Sequence, residues 1–126
     1  MTPAGIGRLG YVQIDCRDPE RMAAFWSAML GTDVLITYGE PVHYVNLRPV
    51  DGGPSVSLHR VAEPTPGKNR LHLDLLVDDL DAVTRHVVDA GGAVAPAGDV
   101  SEYGFSWRVM ADPEGNEFCL ICVVPK

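Results

Sequence analysis

The sequence is poor in cysteine, and it contains no long apolar run. Its three cysteines are odd in number and lie in apolar, strand-like segments, a setting typical of inert buried thiols. No apolar run approaches the roughly 18 residues that a membrane crossing needs. The opening MTPAGIGRLG also lacks the apolar stretch of a signal peptide. These absences predict a soluble protein of the reducing cytoplasm that does not enter a membrane.

Positive charge is also scarce. Ten Lys and Arg stand against seventeen Asp and Glu, for a formal net charge of -7. Such a balance opposes binding to nucleic acid or to an anionic membrane surface, because both need a positive patch. The predicted partners are therefore small molecules or other proteins.

The composition that remains is that of an ordinary globular domain. The chain has 126 residues, of which 46% are hydrophobic and 21% charged. That length is enough for one core, so neither a disulfide nor a metal is needed for folding.

The chain contains the same unit twice. Laying Tyr11 on His72 aligns YVQIDCRDPERMAAFW with HLDLLVDDLDAVTRHV without a gap, and each segment is an alternating strand followed by an Asp and a helical stripe. In the first copy Asp18 is predicted to cap the helix, with Pro19 in its first turn. In the second copy Asp78 or Asp79 takes the capping role.

Three short strands are predicted after each helix. They cover residues 34–38, 43–47 and 56–61 in the first half, and 93–97, 106–110 and 117–124 in the second. A Pro-rich linker at 63–68 separates the halves. The sequence thus predicts one domain over residues 1–126, made of βαβββ modules at 8–62 and 69–125.

The predicted fold class is α+β, with the two modules forming a curved eight-stranded cup whose helices lie outside. Alternation along each strand then decides which side chains face the cup. Tyr11 and Gln13 face it from the first strand, His72 and Asp74 from the fifth, and Cys119 from the last. An imidazole and a carboxylate thus share a face of a strand whose other face is apolar.

The paired modules, the segment HLDLLVDDLDAV and the turn DPEGNEFCLI resemble the vicinal oxygen chelate superfamily, and within it the glyoxalase-like and bleomycin-resistance-like group. The resemblance covers nearly the whole chain. It implies a cup that in many members holds a divalent metal. The ligands there are a His on the first strand, a His or Glu on the fourth, a His on the fifth and a Glu on the eighth.

Transferring those positions to this sequence gives a poor metal site. They fall on Tyr11, on Ser57, on His72 and on Cys119, and only His72 is a residue that the family uses there. His59 is the next cup-facing residue after Ser57. We therefore predict no metal and no other cofactor. A zinc site made of His59, His72 and Cys119 is the alternative, because imidazole and thiolate are proper zinc ligands.

Three functions are consistent with these features. The first, which we favour, is a metal-free protein of the bleomycin-resistance type that holds an apolar or aromatic metabolite. The second is an enzyme in the same cup, a lyase, isomerase or cyclase with His72 and Asp74 as its catalytic acid-base pair, or a metal-dependent one. The third is a structural or regulatory module with a vestigial cup. The predicted ligand-binding residues are Tyr11, Gln13, His59, His72, Asp74, Trp107 and Cys119.

Each of these residues also has a purely structural interpretation. His72 would then be an interior histidine that bonds Asp74 or Tyr11. Cys119 would be a small wall residue, since no Lys or Arg lies beside it in the sequence to favour its thiolate. Trp107 would serve ordinary packing instead of stacking on a planar ligand.

A homodimer is predicted as well. The superfamily resemblance implies pairing of single-chain members. Open sheet edges and the apolar final strand FCLICVVP leave surface that a second copy would cover.

Overall fold

The computed structural model describes residues 10–63, 72–102 and 104–123. Within these residues the order of elements is βαβββ, repeated once, which confirms the predicted α+β class. The elements are β1 (Tyr11–Cys16), α1 (Pro19–Leu30), β2 (Val34–Tyr38), β3 (Tyr44–Leu47), β4 (Ser55–Arg60), β5 (Asp74–Leu76), α2 (Leu80–Asp89), β6 (Ala93–Glu102), β7 (Phe105–Ala111) and β8 (Glu117–Val123).

The chain divides into two compact units, Met1–Pro64 and Thr65–Lys126, which contain the first and the second predicted module. Parts of the sequence predictions lie outside the described residues: the start of the first module at 8–9, linker residues 64–68, the start of the second module at 69–71 and its end at 124–125. Among the described residues, neither helix is both long and apolar enough to cross a membrane.

Each module has a mixed sheet of four strands with the same topology. The strand order is β1-β4-β3-β2 in the first module and β5-β8-β7-β6 in the second. The first and last strands of each module pair in parallel, and the remaining pairs are antiparallel. The first and fourth strands of a module are thus neighbours in the sheet, although a helix and two strands separate them in sequence.

In the first module α1 covers one face of the sheet. The Asp18 side chain accepts a hydrogen bond from the Arg21 N–H at 3.1 Å, as expected of the predicted cap. Gly31 ends the helix with φ of 66°, a left-handed conformation that glycine adopts without strain. The helix packs on β3 and β4. The buried residues of this core include Met22, Phe25, Trp26, Val45, Leu47 and Leu58.

In the second module the cap is Asp79, whose carboxylate accepts from the Ala82 N–H at 3.1 Å. The choice between Asp78 and Asp79 that the sequence left open is thereby made. The fully buried apolar side chains of this module include Val87 of α2, Met110 of β7, and Phe118 and Leu120 of β8.

Arg108 joins β7 to α2. Its guanidinium donates to both carboxylate oxygens of Asp99 at 2.8 and 2.9 Å, to Asp81 of the helix at 3.1 Å and to the Thr84 hydroxyl at 2.8 Å. Arg108 therefore points to the helix side of the sheet. Because side chains alternate along a strand, its neighbours Trp107 and Val109 point to the opposite face.

The strand β5 is shorter than the sequence suggests. The alternating pattern predicts a strand that includes His72, whereas β5 begins at Asp74. Single backbone bonds to β8 extend the pairing on both sides, because Cys119 N donates to Leu73 O and Val77 N donates to Ile121 O, each at 2.9 Å. His72 thus lies two residues before the first residue of β5.

Candidate functional site

A pocket of about 340 Å³ lies in the second module, on the sheet face that points away from α2. Its volume falls within the roughly 300 to 1,000 Å³ typical of small-molecule sites. The described residues that line it are His72, Asp74, Trp107, Val109, Glu117, Phe118, Cys119 and Ile121.

One side of the pocket carries a cluster of three polar groups. Asp74 is the register partner of Cys119 across the parallel β5–β8 pair. The His72 Nε2 atom lies 3.3 Å from the Asp74 Oδ1 atom. A ring nitrogen of His72, a carboxylate oxygen of Asp74 and the Cys119 Sγ atom all lie within 4.8 Å of one another. The structure therefore adds Cys119 to the pair of His72 and Asp74 that the alternation already placed on one face.

Exposure differs sharply within this cluster. The side chains of His72 and Asp74 are 49% and 55% exposed. Cys119 is only 8% exposed. The thiol thus lies at the floor of the pocket, and the imidazole and the carboxylate lie at its rim.

The rest of the floor is mainly apolar. Val109 is the register partner of Cys119, and Trp107 is that of Ile121. Val109 and Ile121 were not among the predicted site residues, although they alternate with the same parity as Trp107 and Cys119. Alternation along the last strand predicts that Glu117 and Ile121 face the cup with Cys119, but Glu117 was not named as a binding residue either; its Oε1 atom is shielded from solvent. The alternation of side chains along β7 and β8 places Val109, Glu117 and Ile121 on the same face as Trp107 and Cys119, and this pattern is visible in the sequence.

The other predicted binding residues belong to the first module. Tyr11 and Gln13 lie on β1, and Tyr11 is 62% exposed. His59 lies on β4, with its Nδ1 atom 3.3 Å from the Asp15 Oδ1 atom. Its ring also stacks on Tyr44, with a centroid distance of 4.4 Å and an interplanar angle of 3°. A role for Tyr11, Gln13 and His59 in ligand binding stays a prediction.

A family model described as a glyoxalase-like domain matches residues 11–121. The chain therefore belongs to the glyoxalase-like domain family, which confirms the resemblance to the vicinal oxygen chelate superfamily. A comparison with curated proteins gave no match.

Several solved structures share the fold. A glyoxalase/bleomycin resistance protein/dioxygenase family enzyme from Burkholderia phytofirmans PsJN is 24% identical, with a TM-score of 0.73 over 94% of this chain and 100% of that one. A superfamily member from Sphaerobacter thermophilus DSM 20745 is 18% identical, with a TM-score of 0.70 over 93% and 98%. TioX from Micromonospora sp. ML1 is also 18% identical, with a TM-score of 0.63 over 94% and 100%. At these identities the likeness shows the fold alone.

The residues at the superfamily's metal positions do not fit its metal site. Ser57 is 1% exposed, and its hydroxyl donates to the Asn46 side-chain oxygen at 2.6 Å. Tyr11 offers a phenol, and Cys119 offers a thiol in place of a carboxylate. One imidazole, that of His72, with two hydroxyls and a thiol is a poor donor set for a hard divalent metal, which prefers carboxylate oxygens.

Proposed function

We propose that the pocket of the second module binds a small apolar or aromatic metabolite without a metal, in the manner of a bleomycin-resistance-type protein. The observation that carries this proposal is the pairing of an apolar floor with a polar rim in a pocket of about 340 Å³. Ligand sites are typically apolar concavities in which a few polar groups fix the orientation.

The lining residues divide these tasks between them. Trp107 offers an indole ring for stacking on a planar ligand, and Val109 and Ile121 supply apolar contact. The carboxylate of Asp74 accepts hydrogen bonds, and the imidazole of His72 donates or accepts according to its tautomer. A role in ligand binding for Tyr11, Gln13 and His59, which lie in the first module, is also part of the proposal.

An enzyme acting in the same pocket is the second candidate. The 3.3 Å contact between His72 and Asp74 supports it, because a carboxylate that orients an imidazole is a common acid-base arrangement. The reaction would be a lyase or isomerase step on a small metabolite. Mass spectrometry of the ligand after incubation separates the two candidates: a binding protein returns the ligand unchanged, whereas an enzyme depletes it.

We further propose that the protein is a cytoplasmic homodimer. Each chain forms a single domain with modules at 8–62 and 69–125, and it binds neither nucleic acid nor membrane. The net charge of -7 supports the last point. All three cysteines are described, and each carries a thiol, as suits a reducing compartment. The edge strand β2 exposes apolar side chains that a second copy would cover: Val34, Leu35, Ile36 and Tyr38.

Tryptophan fluorescence tests the binding proposal directly, because the two tryptophans have different surroundings. Trp26 is 1% exposed in the core of the first module, and Trp107 lines the pocket. A Trp26→Phe variant leaves Trp107 as the only reporter for a titration with aromatic acids, phenols and aryl ketones. We expect a saturable change for at least one compound class, lost in Trp107→Phe. The proposal fails if no compound gives a saturable change in Trp26→Phe.

A further inference from the structure

We infer that Cys119 is a nucleophilic thiol and that the pocket takes aromatic α,β-unsaturated carbonyl compounds, whose β-carbon the thiol attacks. The inference rests on the proposed function, because it names the ligand class of the same pocket. It adds a covalent step that binding alone does not require.

The geometry around Cys119 carries this inference. Its Sγ atom lies within 4.8 Å of both a ring nitrogen of His72 and a carboxylate oxygen of Asp74. A thiol is nucleophilic as the thiolate, and a neighbouring imidazolium favours that form. The Asp74 Oδ1 atom lies 3.3 Å from the His72 Nε2 atom, so the carboxylate can orient the ring. A nucleophile, a candidate base and a carboxylate that contacts the base thus lie in one cluster.

The sequence could not show this arrangement. Neither neighbour of Cys119 along the chain is basic, and on that ground the residue is an inert wall thiol. The base instead comes from the segment that leads into β5, which lies beside β8 because the two strands pair in parallel. Cys119 N even donates to the carbonyl of Leu73, the residue that follows His72.

The chemical step is a conjugate addition that needs no further reactant. The thiol proton passes to the His72 imidazole, and the sulfur forms a bond to the β-carbon. The π electrons of the C=C bond move onto the carbonyl oxygen to give an enolate. The proton then returns from the imidazolium to the α-carbon, so that the product is a saturated thioether. Nothing is oxidised and nothing leaves.

The surroundings of the thiol favour an aromatic electrophile. Trp107 and Ile121 form the register pair two residues along β7 and β8 from Val109 and Cys119. Two residues of a strand span about 7 Å. That distance accommodates one phenyl ring over Trp107 while the carbon attached to the ring faces the sulfur. The exposed rim at His72 and Asp74 leaves the carbonyl oxygen in contact with polar groups.

Two ligands that differ by one double bond test the inference. One is 4-phenyl-3-buten-2-one, an enone, and the other is its saturated analogue 4-phenyl-2-butanone. Peptide mapping of native protein treated with the enone is expected to show addition at Cys119 at least about tenfold faster than at Cys122. Cys122 is the matched control, because it lies on the same strand with its side chain on the opposite face. Cys119→Ser should remove the adduct, and Cys122→Ala should keep it.

The role of His72 needs a measurement that a merely structural role would not change. In the His72→Gln variant we expect addition at pH 7 to slow about tenfold and its pH profile to move up by about one unit, toward that of an ordinary thiol. The other ionisable side chains among the described lining residues are Asp74 and Glu117. Asp74→Asn is expected to slow addition by less than His72→Gln does, because it removes only the group that orients the ring, and Glu117→Gln is the control for loss of any nearby carboxylate.

The outcomes separate this inference from the proposed function. If the saturated ketone quenches Trp107 but the enone forms no adduct at Cys119, the inference is wrong and binding stands. If Cys119 reacts but the saturated ketone does not bind, the inference is supported and the proposed non-covalent function is contradicted for this ligand class. Equal rates at Cys119 and Cys122, or an unchanged pH profile in His72→Gln, also overturn the inference.

Discussion

Replacing Arg108 by Ala is expected to lower the free energy of unfolding by about 1 to 3 kcal/mol. The guanidinium makes four hydrogen bonds to Asp99, Asp81 and Thr84, at 2.8 to 3.1 Å. At about 0.5 to 1.5 kcal/mol each they would sum to roughly 2 to 6 kcal/mol. The side chain of Arg108 is 16% exposed, but those of Asp99 and Asp81 are 50% and 78% exposed, so solvent screening lowers this sum by about half.

Urea denaturation followed by circular dichroism measures this loss. Arg48→Ala is the matched control, because Arg48 contacts Asp33 at 2.9 Å with side chains 55% and 71% exposed. An exposed pair of that kind contributes up to about 1 kcal/mol. If Arg108→Ala lowers the free energy of unfolding no more than Arg48→Ala does, then Arg108 does not hold α2 to the sheet.

The Arg108–Asp99 pair also makes a prediction about pH. Hydrogen bonding to Arg108 holds the pKa of Asp99 below its ordinary value, against the opposite effect of burial. A carboxyl whose pKa is lowered by folding stabilises the fold above its unfolded-state pKa, about 4, and loses that contribution as the pH falls through the folded-state pKa. The stability difference between wild type and Asp99→Asn should therefore stay constant from neutral pH to about pH 5 and shrink below about pH 4. A difference that vanishes near pH 6 would mean that another group is responsible.

Three further predictions concern the site and the assembly. Protein purified without chelator should hold well under one equivalent of any transition metal by elemental analysis, and about one zinc per chain that is lost on His72→Ala would contradict this. Leu120→Ala should cost about 2 to 5 kcal/mol because Leu120 is fully buried, whereas His72→Ala should cost within about 1 kcal/mol and weaken ligand binding instead; equal losses would make His72 structural. Light scattering should report a dimer, and a 13.6 kDa particle at micromolar concentrations would exclude one.

The local signals in the sequence were sufficient for the helices and turns. Caps act over three or four residues, so Asp18 and Gly31 could be assigned without tertiary information. The DPEGN turn is equally local: the Asp112 carboxylate accepts from the Glu114 and Asn116 N–H groups at 3.0 and 2.9 Å. Such contacts depend only on residue type and spacing.

The strand β6 shows where local signals mislead. The sequence predicts a break at Gly98, whereas the strand continues to Glu102. The register of β6 against β7 shifts between Val94 and Asp99. Pro96 and Gly98 lie within this irregular stretch, and the strand continues beyond it. Pro and Gly weaken regular pairing but are common at bulges. Whether they end a strand depends on the partner strand, which the sequence does not reveal.

The candidate site was also only partly predictable, because local patterns do not reveal which strands pair or in what register. Alternation placed His72 and Asp74 on one face, because that relation spans only two residues. Their contact with Cys119 depends on the register of a parallel pair whose strands are far apart in the chain. No periodicity encodes that register, so the sequence could name the three residues but not their proximity.

The duplicated fold shows how side chains alone can differentiate two equivalent places. In the first module Gln13 is the parallel register partner of Ser57, just as Asp74 is that of Cys119 in the second. With Tyr11 laid on His72, the three positions of the first module carry a phenol, an amide and a hydroxyl. The same three positions of the second module carry an imidazole, a carboxylate and a thiol. Strand order and the pairing of these strands are shared, although Tyr11 lies within β1 whereas His72 precedes β5. The difference between Ser57 and Cys119 is one atom, oxygen or sulfur, and the thiol is intrinsically the more nucleophilic of the two groups. The reactive chemistry that we infer is thus a property of three side chains in one copy of a repeated scaffold.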